Sequence, residues 1–204
     1  MVRATELRRL RIIAPIFLLA LALFLAQYIC PLQGIGLSES KREFNSLKNR
    51  SALPRESDFD YAVTLASLLQ PGEDRARWAA SRAAAVQGYV VAVREGSVES
   101  TNCYSPMQRD THIELALRPD APARERVILE VTPRMRGRAK GQGRDWSTAA
   151  LAGELVGHWC RFEGWLLFDS GHADEAENTA PGRADNWRAT AWEVHPVTYL
   201  EVVK

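Results

Sequence analysis

The sequence predicts an all-β fold, a five-stranded barrel with one helix between strands 3 and 4, preceded by an N-terminal transmembrane helix and two short helices. Three observations predict this fold. An uncharged apolar run occupies residues 12–32. Five apolar segments bounded by glycine, proline or polar residues follow between residues 86 and 204. A short segment with helical spacing lies between the third and the fourth of them.

The apolar run at residues 12–32 predicts a membrane anchor. A helix of about 20 residues rises about 30 Å, the thickness of a bilayer's hydrocarbon core. Residues 1–11 are expected in the cytoplasm and the rest of the chain outside it, because basic residues gather before the run. They are Arg3, Arg8, Arg9 and Arg11. A cleaved signal peptide is the alternative, since Ala20-Leu21-Ala22 resembles a cleavage site, although the apolar run continues past it.

Residues 33–85 predict a linker followed by two short helices. Residues 33–56 are polar and contain glycine and proline, which is typical of a juxtamembrane linker. From residue 57 apolar residues recur at three- and four-residue spacing, and Pro71-Gly72 ends this first helix. Residues 73–85 are rich in alanine and arginine and predict the second helix.

The barrel domain is predicted at residues 86–204. Its strands are expected at residues 88–94, 112–117, 126–132, 159–168 and 187–203. A basic, glycine-containing loop at residues 133–145 precedes a helix at residues 147–156, which Gly157 ends. Gly164 predicts a bulge or bend in the fourth strand, and Pro196 predicts a break in the fifth.

This order of three strands, a helix and two strands resembles the OB-fold, a five-stranded Greek-key barrel. The resemblance covers residues 86–204 and depends on element order and on the glycine in a curved strand. The segments EVTPR, GWLLFD and WRATAWEVHPV are also similar to a family of bacterial membrane-anchored proteins of unknown function. No catalytic residue carries over from that family. A small β-sandwich is the alternative architecture.

Four side chains offer donor types that suit a divalent metal. They are His112, Asp169, His172 and His195. Their spacing matches no metal-binding motif, so buried, hydrogen-bonded structural histidines at strand ends are the favoured interpretation of His112 and His195. The sequence predicts neither a catalytic residue nor a resident cofactor.

Three glutamates, Glu114, Glu130 and Glu193, interrupt apolar strands. In a sheet that is buried on one face, such residues point to solvent, which explains all three. The alternative is that they converge with Arg134 or Arg188 in a hydrolytic site.

The basic stretch after the third strand is the clearest charged feature of the chain. Arginines beside a tryptophan suit phosphate contact and base stacking, and anionic lipid headgroups are a second candidate ligand. A solvated surface loop is the competing interpretation. Tryptophans on the last two strands form either a stacking platform or core. The predicted ligand-binding residues are Arg134, Arg136, Arg138, Trp146, Trp165 and Trp192.

Cys103 and Cys160 lie in the predicted barrel, and Cys30 lies at the edge of the apolar run. In an oxidising compartment Cys103 and Cys160 could form a disulfide. The alternative is two unpaired, partly buried thiols.

These observations predict a membrane-anchored, periplasmic module that binds a ligand or a protein partner of the cell envelope. The net charge of +1 gives no overall attraction to nucleic acid, and the predicted location also argues against that partner. A metal-dependent hydrolase with a His/Asp site is the alternative function. A purely structural subunit of a membrane complex is the third, and it predicts an exposed apolar patch.

Overall fold

The computed structural model describes residues 30–203. Five strands form a closed barrel in the order β1-β2-β3-β5-β4. Strands β3 and β5 pair in parallel, and the other neighbours pair antiparallel. The strands are β1 Ala83–Glu95, β2 Thr111–Ala116, β3 Val127–Val131, β4 Trp159–Phe168 and β5 Trp192–Val202. The predicted five-stranded barrel is confirmed, and its strand order is consistent with an OB-like fold.

Apolar side chains at alternate strand positions fill the barrel. Ile113 and Leu115 of β2 and Leu129 and Val131 of β3 belong to this core. Since successive residues of a strand point to opposite faces, the residues between them lie on the outer face of the barrel. The charged residues of these strands occupy that outer face.

Within residues 30–203, two α-helices precede the barrel, α1 at Glu39–Lys48 and α2 at Leu65–Leu68. Helix α1 lies in the segment that was predicted to be a linker, and Ser38 caps it by accepting a hydrogen bond from the Lys41 amide at 3.1 Å. Its fully buried side chains, Asn45 and Lys48, are polar, so no apolar periodicity marks it. The prediction of a helix at residues 73–85 is wrong. Turns and irregular backbone occupy residues 73–82, and β1 begins at Ala83.

Two helices, not one, connect β3 to β4. They are α3 at Pro133–Gly141 and α4 at Thr148–Leu155. The loop predicted at residues 133–145 is therefore wrong: Thr132 caps α3, and Pro133 occupies its first turn. Helix α4 agrees with the prediction, since Gly157, at φ +86°, follows its end.

Strands β4 and β5 approach each other closely at Gly164. The pairing register shifts on both sides of this glycine, which confirms the predicted bulge. A side chain there would overlap the carbonyl oxygen of Pro196. The break predicted at Pro196 is wrong, because β5 continues through it.

The predicted transmembrane segment lies outside the described residues apart from residues 30–32, and the predicted tail at residues 1–11 lies wholly outside them. Within residues 30–203 there is no helix with the length and apolar character needed to cross a bilayer.

A disulfide joins Cys30 to Cys103, with the sulfur atoms 2.06 Å apart. It links the start of the described chain to the loop between β1 and β2. Cys160 is a buried free thiol, so the pairing of Cys103 with Cys160 that the sequence left open is not formed.

Candidate functional site

A set of buried and partly buried charged side chains lies at the outer face of β2, β3 and β5, contributed by these strands and by the segments next to them. Helix α1, the turn around residues 99–105 and the turn after β4 cover this face. We call the set the charged layer. Its members are Lys48, Glu99, Asp110, His112, Glu130, Asp169, Arg188, Glu193 and His195.

The strand register aligns the centre of the charged layer. His112 of β2 is paired with Glu130 of β3. Leu129 of β3 is paired with Val194 of β5, so the next residues, Glu130 and His195, also lie side by side. The barrel therefore places one carboxylate between two imidazoles.

Glu130 contacts both imidazoles directly. Its Oε1 lies 3.0 Å from His112 Nε2, and its Oε2 lies 3.2 Å from His195 Nδ1. His195 Nδ1 also lies 3.1 Å from Glu193 Oε2, and Arg188 donates a hydrogen bond to the other oxygen of Glu193 at 2.5 Å. These contacts form a continuous chain of opposite charges when the imidazoles are protonated.

Lys48 connects helix α1 to the charged layer. Its Nζ donates hydrogen bonds to Glu99 at 2.9 Å and to Asp169 at 3.3 Å. The neighbouring Asn45 and Asn49 bond to the turn at Ser100 and Thr101. The segment before the barrel is thus held on it by polar contacts.

The structure brings together part of the metal-ligand set predicted from the sequence. His112 and His195 meet on Glu130, and Asp169 lies at the edge of the charged layer, bound to Lys48. His172 bonds to other partners: its Nδ1 is 2.8 Å from Glu175, and its ring packs edge-on against Trp187. It lines one surface opening with His112 and another with Asp169.

The interpretation of the three strand glutamates as solvent-facing is wrong. Glu114, Glu130 and Glu193 are all buried, because other segments cover the outer face of the barrel. Of the convergence that the alternative interpretation expected, one contact forms, between Glu193 and Arg188. Glu114 pairs with Arg126 at 2.7 Å and with Arg94.

The charged layer shifts the pKa values of its members. Burial by itself would raise the pKa of Glu130, but the charges of His112 and His195 hold it well below its usual range. Burial by itself would lower the pKa of His112. The charge of the Glu130 carboxylate outweighs this effect of burial and raises the pKa of His112 to about 9. In the same way, Glu130 and Asp169 overcome the effect of burial and raise the pKa of Lys48.

Asp110, which the sequence did not single out, differs from the other carboxylates. Burial and the adjacent Glu130 charge raise its pKa to about 6. One oxygen of Asp110, one of Glu130 and a ring nitrogen of His195 lie within 4.8 Å of one another. Among the described residues, this is the group whose donor atoms converge as a metal site requires.

Among residues 30–203, surface openings reach the charged layer at two places. One has a volume of about 700 Å³, and Lys48, Glu99 and Asp169 line part of it. The other, of about 400 Å³, is lined by His112, together with Trp187 and residues of the loop after β1. The Asp110, Glu130 and His195 side chains line neither opening.

A separate pocket of about 710 Å³ lies between α3 and the start of α4. We call it the basic pocket. Three cationic side chains line it, Arg136, Lys140 and Arg144, beside Trp146. The Arg144 guanidinium lies 5.0 Å from the centre of the Trp146 ring, and Arg136 is oriented by hydrogen bonds to Thr111 and to the Arg109 carbonyl.

The other predicted ligand-binding residues lie elsewhere. Arg134 donates to the carbonyl of Cys30, and Arg138, one turn away, reaches the Ser51 carbonyl at 3.5 Å. Trp165 donates its indole N–H to Ala52 and lies under Arg50. Trp192 is core and bonds to the Asp74 carbonyl. Of the six, only Arg136 and Trp146 share one pocket.

Comparison with protein-family models, curated proteins and solved structures finds no match to this chain.

Proposed function

We propose that this protein is a membrane-anchored, extracytoplasmic OB-like module that binds a phosphate-bearing anion in the basic pocket. The observation that carries the proposal is the convergence of three cationic side chains around Trp146. The acidic residue of this lining, Asp145, already accepts a hydrogen bond from the Ser147 amide at 2.8 Å. Three cations against this single carboxylate leave the pocket with an excess of positive charge.

The chemistry of the pocket suits a phosphate group. Guanidinium groups donate paired hydrogen bonds to phosphate oxygens, and a lysine ammonium adds a mobile point charge. Hydrogen bonds to backbone or hydroxyl oxygens fix Arg136, so it loses little side-chain freedom on binding. Lys140 is exposed and bonds to no described residue, so its charge is available to a ligand.

The anchor and the location are part of the same proposal. Residues 12–32 have the length and hydropathy of a membrane helix, with arginines before it. The Cys30–Cys103 disulfide supports an oxidising compartment for the barrel. A phosphate-bearing ligand beside a membrane is either a lipid headgroup or a free phosphate compound. That the protein also binds a protein partner in the cell envelope remains a prediction from the sequence.

The test is calorimetric titration of the full-length protein, in neutral detergent at low salt, with two probes. Pyrophosphate represents free phosphates, and glycerophosphoglycerol represents the headgroup of an anionic lipid. We expect Lys140→Gln to weaken binding about fivefold, equivalent to about 1 kcal/mol. Added salt should weaken it further, because the site is open to solvent.

Arg138→Gln is the matched control. It removes one positive charge from the same helix but outside the pocket lining. Binding should stay within about twofold of the unmodified protein if the pocket itself is the site. Absence of binding by both probes, or equal losses in the two variants, would contradict the proposal; the probe that binds more tightly identifies the ligand class.

A metal-dependent hydrolase is the second candidate, favoured by the meeting of His112 and His195 on Glu130. Hydrolysis needs a substrate within reach of the metal and its water. The side chains of Glu130 and His195 are buried under the segments that cover the barrel, so the geometry supports the binding module better. Metal-dependent hydrolysis of a chromogenic phosphodiester by the full-length protein would reverse this order.

A further inference from the structure

We propose that Asp110, Glu130 and His195 bind one divalent transition-metal ion of the Zn²⁺ or Mn²⁺ type inside the charged layer. The three come from different parts of the barrel: Asp110 directly precedes β2, Glu130 lies in β3 and His195 in β5. One donor atom from each lies within 4.8 Å of the other two. A single ion could thus contact all three.

Asp110 is the observation that points to a cation. It is 2% exposed, and neither oxygen of its carboxylate accepts a hydrogen bond from any of residues 30–203. A buried carboxylate without a donor is costly, and proteins avoid it by neutralising the group or by coordinating a metal. The Asp110 carboxylate faces a second carboxylate, that of Glu130, across the proposed site. A cation bound between them would offset the repulsion of the two negative charges.

His195 is arranged as a metal-binding histidine is. Its Nδ1 lies 3.1 Å from Glu193 Oε2, while its Nε2 has no hydrogen-bond partner among the described residues although the residue is 0% exposed. Histidines that bind metals commonly donate their other ring N–H to a carboxylate, which fixes the tautomer and the ring orientation. Arg188 in turn holds Glu193, and Nε2 is the ring nitrogen that bonds to no described residue. Nδ1 also lies 3.2 Å from Glu130 Oε2, so the ring borders the proposed site.

The charge of the layer favours the same conclusion. It contains five carboxylates, and its permanently charged cations are Lys48 and Arg188. Arg136 adds a third cation at the edge, because it bonds to the residues on either side of Asp110. Five negative charges against three permanent positive charges leave an excess of two before the imidazoles are counted. A protonated His112 neutralises one of them, and a bound cation or a protonated His195 neutralises the other.

The donor set selects the class of metal. One imidazole nitrogen with two carboxylate oxygens is characteristic of Zn²⁺, Mn²⁺ and Fe²⁺, whereas Ca²⁺ and Mg²⁺ prefer oxygen donors alone. Three protein ligands leave a coordination position for water. The ion would connect β2, β3 and β5 beneath the segments that cover them. We therefore expect it to raise the stability of the folded protein. This metal site does not depend on anion binding in the basic pocket.

The test uses the full-length protein in detergent, stripped with a chelator, reloaded with Zn²⁺ or Mn²⁺ alone and desalted. We expect about one ion per chain by elemental analysis. At an ion concentration about 100 times the dissociation constant, the melting temperature should rise by roughly 5–10 °C. Asp110→Asn should reduce the affinity at least about 100-fold and abolish the shift.

Asp110→Asn is chosen because Asp110 accepts no hydrogen bond, so the variant should fold even without metal. His195→Gln gives a second ligand deletion. His172→Gln is the matched control, since His172 pairs with Glu175 and is not among the three converging groups. Retention of one ion by His172→Gln and its loss from Asp110→Asn are the expected pair of results. The proposal is overturned if the unmodified protein retains no stoichiometric ion, or if Asp110→Asn retains it.

Discussion

Lys48→Met tests whether the segment before the barrel belongs to the folded domain. Lys48 is 3% exposed, and its ammonium contacts Asp169, which is equally buried, and Glu99, which is partly buried. Methionine keeps the packing of the aliphatic stem but removes the charge. Asp169 then retains its hydrogen bond from the Gly171 amide at 2.9 Å and loses its buried cation.

Removal of one partner from a buried ion pair costs about 3–5 kcal/mol, because the other charge stays buried without compensation. Glu99 can turn toward solvent, so we expect a value near the lower end, about 3 kcal/mol. For a chain of this size that corresponds to a fall in melting temperature of roughly 6–12 °C. The raised pKa keeps Lys48 charged through neutral pH. The loss should therefore be constant between about pH 7 and 8, which lies below the ordinary lysine pKa of about 10.4 and between the pKa values of Asp110, about 6, and His112, about 9.

The assay is thermal and urea unfolding of the full-length protein, followed by near-ultraviolet circular dichroism. Lys41→Met is the control, because Lys41 lies on the exposed side of the same helix. We expect it to change the free energy of unfolding by less than about 0.5 kcal/mol. If Lys48→Met differs from Lys41→Met by less than this amount, the buried ion pair of Lys48 does not stabilise the packing of helix α1 on the barrel and the reasoning fails.

Further variants test the charged layer and the barrel closure. Arg188→Met should destabilise the protein by about 3 kcal/mol, and the double variant with Glu193→Leu should recover most of this loss in the same unfolding assay. Burial raises the pKa of the Cys160 thiol to about 11. Cys160 should therefore resist alkylation by iodoacetamide at pH 8 until urea unfolds the chain, and rapid labelling of the native protein would contradict this. Gly164→Ala should lower the melting temperature markedly, because its methyl group would overlap the Pro196 carbonyl, and an unchanged melting temperature would show that β4 and β5 are farther apart.

The barrel strands were predictable because their information is local. Alternating apolar residues, as in Ile113 and Leu115, follow the period of a strand whose one face is buried. Helix α4 carries apolar residues and a glycine stop, and Gly164 marks the bulge. Helix α3 was missed because only Met135 and Ala139 are buried, too few to show a period among its arginines and glycines.

The charged layer was not predictable in full, because its pairs join distant parts of the chain. Lys48 and Asp169 are 121 residues apart, and nothing near Lys48 distinguishes it from a lysine on a linker. A partial signal did exist. Glu193 and His195 alternate with core residues, a pattern that fits a solvated face and a covered polar face equally well. Only the segments packed over that face decide between them.

The covering segments also redefine where the domain begins. A fragment that starts at residue 57 would lack Cys30 and Lys48, which would leave Cys103 without its disulfide and Asp169 without its buried cation. The folded unit therefore starts no later than Cys30, and residues 33–56 are part of it. If a membrane anchor precedes Cys30, as the sequence predicts, the bond of Cys30 to the β1–β2 loop leaves no free linker between bilayer and barrel. Anchor and barrel would then be joined through the same segment that covers the charged layer.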